Sequence, residues 1–360
     1  MRKLKTDKQS LEKQSDAYAE GVALGLQALA KGRGIPFVDG EKPPPPKLKS
    51  NRLILKYAKK VLALQKRLGI DSLVSMRPMK MIQFVKEFRL WYSSLKIDSA
   101  TTKAIKDYLS LLFHYEHFRD GRRFKVQGKK IAVEPCEWCL LDYLKTLNVE
   151  WCSYCNDGHV YGRNQAGRNP AIRSPFDHYF PRKDFPMLGL TLANLVPVCN
   201  DCNSLRKGEK CFDTDIYAYP YRDDFHNRCV IKVDLMAKGI DLFLHKGQSG
   251  DISIDLKERT SAIACKKTKR FLCDMKIDRL YNDNLQDKAL QYIRNIETFP
   301  KSYRRFLKKL LPGMTNEQMI KDYFGVSLNP DNINREQHGK MAIDIVHDLA
   351  HRRWWGDLKD

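Results

Sequence analysis

Three Cys-x-x-Cys pairs, Cys136/Cys139, Cys152/Cys155 and Cys199/Cys202, fall in one stretch of a 360-residue chain. Each pair places two thiolates on one tight turn, and two such turns complete a tetrahedral four-sulfur site for zinc. Zinc held that way decides which segments lie together before any hydrophobic pattern is considered. Seven of the ten cysteines lie between Cys136 and Cys211, among Asn, Asp, Gly and Pro in short irregular segments. That is the composition of a small region held by metal. Three pairs make one four-sulfur site and a remainder. Joining Cys136/Cys139 to Cys152/Cys155 gives a compact ribbon, whereas joining Cys152/Cys155 to Cys199/Cys202 closes a loop over residues 156–198.

That loop holds Ser174-Pro175-Phe176-Asp177-His178-Tyr179-Phe180-Pro181-Arg182-Lys183 and then Asn194-Leu195-Val196-Pro197-Val198, which runs into Cys199-Asn200-Asp201-Cys202-Asn203-Ser204-Leu205-Arg206-Lys207. Asp-His, a later Asn-Leu and an Asn directly after the second knuckle, in this order between bracketing cysteine pairs, resemble the HNH endonuclease family in its His-Asn-Asn form. The resemblance runs from Trp151 to Lys210. It implies a ββα-metal core with a structural Zn²⁺ on Cys152, Cys155, Cys199 and Cys202. It also implies a catalytic Mg²⁺ or Mn²⁺ on Asp177 and Asn203, since carboxylate and amide oxygens suit hard ions. His178 is then the general base toward water, and Asn194 braces the backbone that positions it. Arg182, Lys183, Arg206 and Lys207 are the expected phosphate contacts. The products would be a 5′-phosphate and a 3′-hydroxyl, with double-stranded DNA the favoured substrate. Consecutive strand residues point to opposite faces, so bringing Asp177 and His178 to one phosphate requires an irregular strand end.

Two other metal patterns are weaker. His347 and His351 lie one helical turn apart, near metalloprotease spacing, but Asp348 stands where the general-base Glu would be, and a solvated helix face is the better account. His159 lies between the knuckles, yet four thiolates already suffice.

The charge balance agrees with a polyanionic partner. Lys and Arg number 64 against 43 Asp and Glu, a net +21, which disfavours a neutral small-molecule enzyme. With 42% hydrophobic residues the chain can bury a large core, so wholesale disorder is excluded. The charged start Met1-Arg2-Lys3-Leu4-Lys5 is not that of a signal peptide, and cysteines without a leader suit a reducing, cytoplasmic setting. The best apolar run, Ala17 to Ala30, is broken by Glu20 and Gln27, so no membrane partner is expected.

The expected class is α+β, mainly helical, around a small zinc-stabilised core. Pro43–Pro46 would separate an N-terminal arm (1–46) from a helical subdomain (47–135), where Met81, Phe84, Val85, Phe88, Trp91 and Tyr92 recur at helical spacing. The nuclease core occupies 136–212, and a mainly helical region, 213–360, follows an alternating stretch at Cys229–Val233. Basic clusters such as Lys266-Lys267, Arg304-Arg305 and Lys308-Lys309 would track a phosphate backbone, while Tyr303, Phe306, Trp354 and Trp355 are expected to pack between helices. The layout is similar to that of bacterial or phage restriction and defence nucleases, some of which act beside an ATPase partner. The competing account is a zinc-stabilised nucleic-acid-binding or scaffold protein whose nuclease site is inactive.

Overall fold

The computed structural model describes residues 1–6, 8–38, 48–113, 115–136, 140–160, 176–233, 251–258, 260–297 and 301–353. Pro43–Pro46, Cys139, Trp354 and Trp355 lie outside these residues, as does the side chain of His351. The chain is α+β and mainly helical, with small antiparallel sheets. No helix among the described residues is long and apolar enough to cross a membrane.

Helix α1 (Lys8–Ala30) buries Tyr18, Val22, Leu26 and Leu29, three to four residues apart, against α2 (Leu48–Leu68), whose Ile54, Ala58, Val61 and Leu64 answer at the same period. Helix α3 (Pro78–Ser94) starts with proline at its first position, where the missing N–H costs nothing, and buries Met81, Phe84, Val85 and Phe88. Helix α4 (Ser99–Leu112) is capped by Asp98, which accepts from the Thr101 N–H at 2.8 Å. The N-terminal arm, expected as an appendage, packs into this group. Met1 and Leu4 are buried, the Leu4 N–H donates to Pro220, and α1 lies directly on β1 (Arg122–Gln127). Gly21 allows that approach, because a Cβ there would stand 2.5 Å from Phe124 Cβ.

After α5 (Tyr115–Arg119), β1 turns back into β2 (Lys130–Pro135) through Gly128-Lys129, with Gly128 at φ 61°. This hairpin lies where the sequence suggested helix alone. Helix α6 (Leu140–Leu147) leads to the first cysteine knuckle. Strands β3 (Phe176–His178) and β4 (Leu195–Pro197) pair antiparallel with Asp177 opposite Val196 and His178 opposite Leu195, and a π-helical segment, Asp201–Lys207, follows. Beyond it come α7 (Phe225–Arg228) and the pair β5 (Cys229–Val233) and β6 (Ile252–Leu256). The C-terminal part comprises α8 (Ala262–Asp274), α9 (Ile277–Asn284), α10 (Gln286–Glu297), α11 (Lys301–Leu310), α12 (Asn316–Phe324) and α13 (Gly339–Arg353).

One continuous hydrophobic cluster runs from Met1 through the β3–β4 pair to Val346. Helix α11 stands at its margin. Only Leu307 of its apolar stripe packs on the cluster, so Tyr303 is 42% and Phe306 55% exposed, their rings facing each other at 6.5 Å instead of packing between helices.

Candidate functional site

The sulfurs of Cys152, Cys155, Cys199 and Cys202 are all buried and lie within 4.8 Å of one another. Cys155 and Cys199 are separated by 3.8 Å, the edge of a tetrahedron with metal–sulfur bonds of about 2.3 Å. This is the long-loop pairing, and half-buried Cys136 takes no part in it. The knuckle geometry is built for thiolate: the N–H groups of Asp157 and Gly158 point at Cys155 Sγ from 3.5 Å, and that of Tyr154 points at Cys152 Sγ from 3.4 Å. Gly158 has to be glycine, since a Cβ would meet Cys199 Cβ at 2.5 Å. The donor set fits a structural metal such as zinc. His159 is outside the cluster, its ring edge-on to Trp151.

The closed loop delivers β3 and β4 to one side of this cluster. At the end of β3 the His178 Nε2–H donates to the Gly189 carbonyl at 3.0 Å, which leaves Nδ1 as the ring's lone-pair nitrogen. Burial lowers this imidazole from 6.5 to about 4, so it is neutral at physiological pH. The Tyr115 ring meets it edge-on at 4.7 Å. Asn194, fully buried, clamps the chain on both sides of the histidine's hydrogen bond. Its Oδ1 accepts from Phe180 N–H at 2.8 Å, and its Nδ2 donates to the Phe180 and Leu188 carbonyls. The loop holding Gly189 and the strand end holding His178 are therefore tied together by one side chain.

Asp177 points the other way, as the strand alternation requires. It is 4% exposed and both its oxygens are engaged, Oδ2 by the Tyr154 hydroxyl at 2.6 Å and Oδ1 by Lys207 Nζ at 2.5 Å. Lys207, 4% exposed, also donates to the His178 carbonyl at 2.7 Å and lies over the Phe212 ring. Lys207 is thus the buried partner of Asp177 and not a phosphate contact, because no substrate reaches it. Arg206 is diverted too: its guanidinium donates to the Met275 and Lys276 carbonyls just after α8. Asn203 sits half-buried one turn before Lys207 on the π-helical segment.

Arg182 and Lys183 remain on the open side. Arg182 pairs with Glu116 at 2.7 Å and lies over the Tyr115 ring, so Tyr115 is sandwiched between Arg182 and His178. Lys183 reaches Glu209 at 3.4 Å on the surface. Together with Lys103 and Lys106 of α4, and with the acidic Asp107, Glu116 and Asp184, they line a groove of about 710 Å³, in which Lys106 pairs with Asp184 at 3.2 Å. Tyr115, Tyr154 and Gly189 carry contacts that the motif did not announce. Tyr154 alone had a signal, a hydroxyl fixed between two knuckle cysteines.

No family model matches the chain, and neither the curated proteins nor the solved structures gave a match to it. The fit of a second, catalytic ion therefore rests on the donors alone. Among the described residues, the four cysteines are the sole group of three or more His, Cys, Asp or Glu side chains placed to hold a metal. With both Asp177 oxygens engaged and sealed, Asp177 and Asn203 do not form an open oxygen site, and a catalytic Mg²⁺ or Mn²⁺ does not fit there.

Proposed function

We propose that the chain is an endonuclease of the HNH kind that hydrolyses phosphodiester bonds, with DNA as its substrate. The observation that carries this reading is His178: a neutral imidazole whose far nitrogen is fixed to a carbonyl, on a strand pair anchored by four thiols. Arg182, Lys183, Lys103 and Lys106 hold the backbone phosphates across the groove. His178 Nδ1 takes a proton from water, the water oxygen attacks phosphorus, and the P–O bond to the leaving oxygen breaks as that oxygen takes a proton from solvent to become the hydroxyl product. The Gly189 carbonyl then stabilises the imidazolium through the Nε2–H. Asn194 fixes the base in place by tying the two segments that frame it. No step is assigned to a divalent ion.

The sealed Asp177–Lys207 pair favours a second reading, a zinc-stabilised nucleic-acid-binding protein without cutting activity. Purified protein incubated with supercoiled plasmid, linear duplex, single strands and structured RNA, each with Mg²⁺, Mn²⁺ or EDTA, separates the two. Cleavage that vanishes in His178→Ala, with zinc content and DNA affinity unchanged, supports the nuclease. DNA binding with no cleavage of any substrate supports the binder.

A further inference from the structure

A cleft of about 950 Å³ lies between the N-terminal arm, one face of α3 and the chain leading into β4. Its floor is apolar: Leu11, Met76, Met79, Ile82, Leu192 and Ala193. Its charged lining has one sign. Lys3, Arg77, Lys80, Lys86 and Arg222 surround it, and no Asp or Glu among the described residues lines it. Two of these cations are already engaged, Lys80 by the Leu68 carbonyl at 2.5 Å and Arg222 by a fork onto Asp223. Lys3, Arg77 and Lys86 form no ion pair among the described residues.

Met79 and Lys86 are seven residues apart on α3, two turns or about 10 Å. Unneutralised positive charge thus stands at both ends of an apolar strip that three separate chain segments enclose. The volume is that of a small-ligand site. A flat apolar body with several acidic oxygens matches both the floor and the charge.

We propose that this cleft binds a phosphorylated nucleotide, the base on the strip formed by Met79, Ile82 and Leu192 with an acceptor atom of its edge toward Lys86 at one end, and the phosphates on Arg77 at the other. The same chemistry is found in a free nucleotide and in the 5′-phosphorylated end of a nucleic acid, and the free nucleotide is the occupant assigned here. The assignment is independent of the nuclease reading, which could fail without touching it.

Calorimetric titration of the full chain tests it, with ATP, adenosine, inorganic triphosphate and a 5′-phosphorylated single-stranded oligonucleotide as probes. ATP should bind saturably, and adenosine and triphosphate each at least about ten-fold more weakly, because each fills one half of the site. Arg77→Ala with Lys86→Ala should weaken ATP by at least about ten-fold at an unchanged melting temperature. Met79→Asp, on an exposed side chain, should weaken it as well. Absence of saturable ATP binding, or equal affinity in the double variant, overturns the proposal. Triphosphate binding as tightly as ATP overturns it in favour of a plain polyanion patch, and binding of the oligonucleotide but not ATP overturns it in favour of a strand end.

Discussion

A carboxylate as buried as Asp177 persists only while its charge is matched, and the match comes from an ammonium thirty positions away in the sequence. Lys207→Met should therefore cost about 3–5 kcal/mol of unfolding free energy, most of it recovered when Asp177→Asn is added. Urea midpoints of the single and double variants check this, and equal losses in both would refute it. His226 gives the pH dependence. Burial, followed by the nearby Lys340 and Lys257, lowers its imidazole from 6.5 to about 3. Between these values the unfolded chain takes up a proton that the folded chain refuses, so stability is lost as pH falls through that window. His178 adds to the same decline down to about 4. His226→Gln should flatten the curve of melting temperature against pH below 6.5; an unaltered slope would remove the histidine from the account.

At the scale of elements, α1 illustrates a residue chosen against its own propensity. Alanine is the better helix former by about 1 kcal/mol, yet Gly21→Ala pushes a methyl into the Cβ of Phe124. The net effect should be a loss of about 1–3 kcal/mol, and a higher melting temperature would show that α1 can move off β1 freely. Helices of this kind were legible in the sequence because their apolar residues recur every three to four positions, as Met81, Phe84, Val85 and Phe88 do. The four metal-site cysteines were legible because their spacing is itself a geometric statement. The β1–β2 hairpin was not, since six of the fourteen residues in Arg122–Pro135 are charged and its one clear sign is the turn at Gly128 between Val126 and Ile131. Nor were the partners of Asp177 and Arg206, for burial of a basic side chain depends on segments far away in the chain. The same holds for α11, where amphipathic spacing announced a buried stripe that the fold leaves mostly open.

Across the whole molecule, the cysteine cluster joins the two halves. Asn156, directly after Cys155 and held at φ 56°, donates to the Ile333 and Glu336 carbonyls and accepts from the Lys340 N–H. His338 bonds Asp157 at 2.7 Å, and the Tyr281 hydroxyl bonds the Cys155 carbonyl. The segment 333–346 is therefore docked onto the knuckle as well as onto α10 and β5. Purified protein should contain one zinc per chain, and a chelator that removes it should raise amide hydrogen exchange in 333–346 as well as in the cysteine turns. Exchange confined to the turns would show that the C-terminal half holds itself.

The π-helical winding of Asp201–Lys207 fits seven residues into the turn that ends on the buried Lys207. Leu205 lies on its outer side, 78% exposed, so deleting it removes nothing from the core. The shortened segment would fall back to α-helical winding, in which five steps of about 100° turn about as far as six π steps of about 82°, so the ammonium would keep its place beside Asp177. Leu205 is thus a residue that the turn can lose without opening the carboxylate.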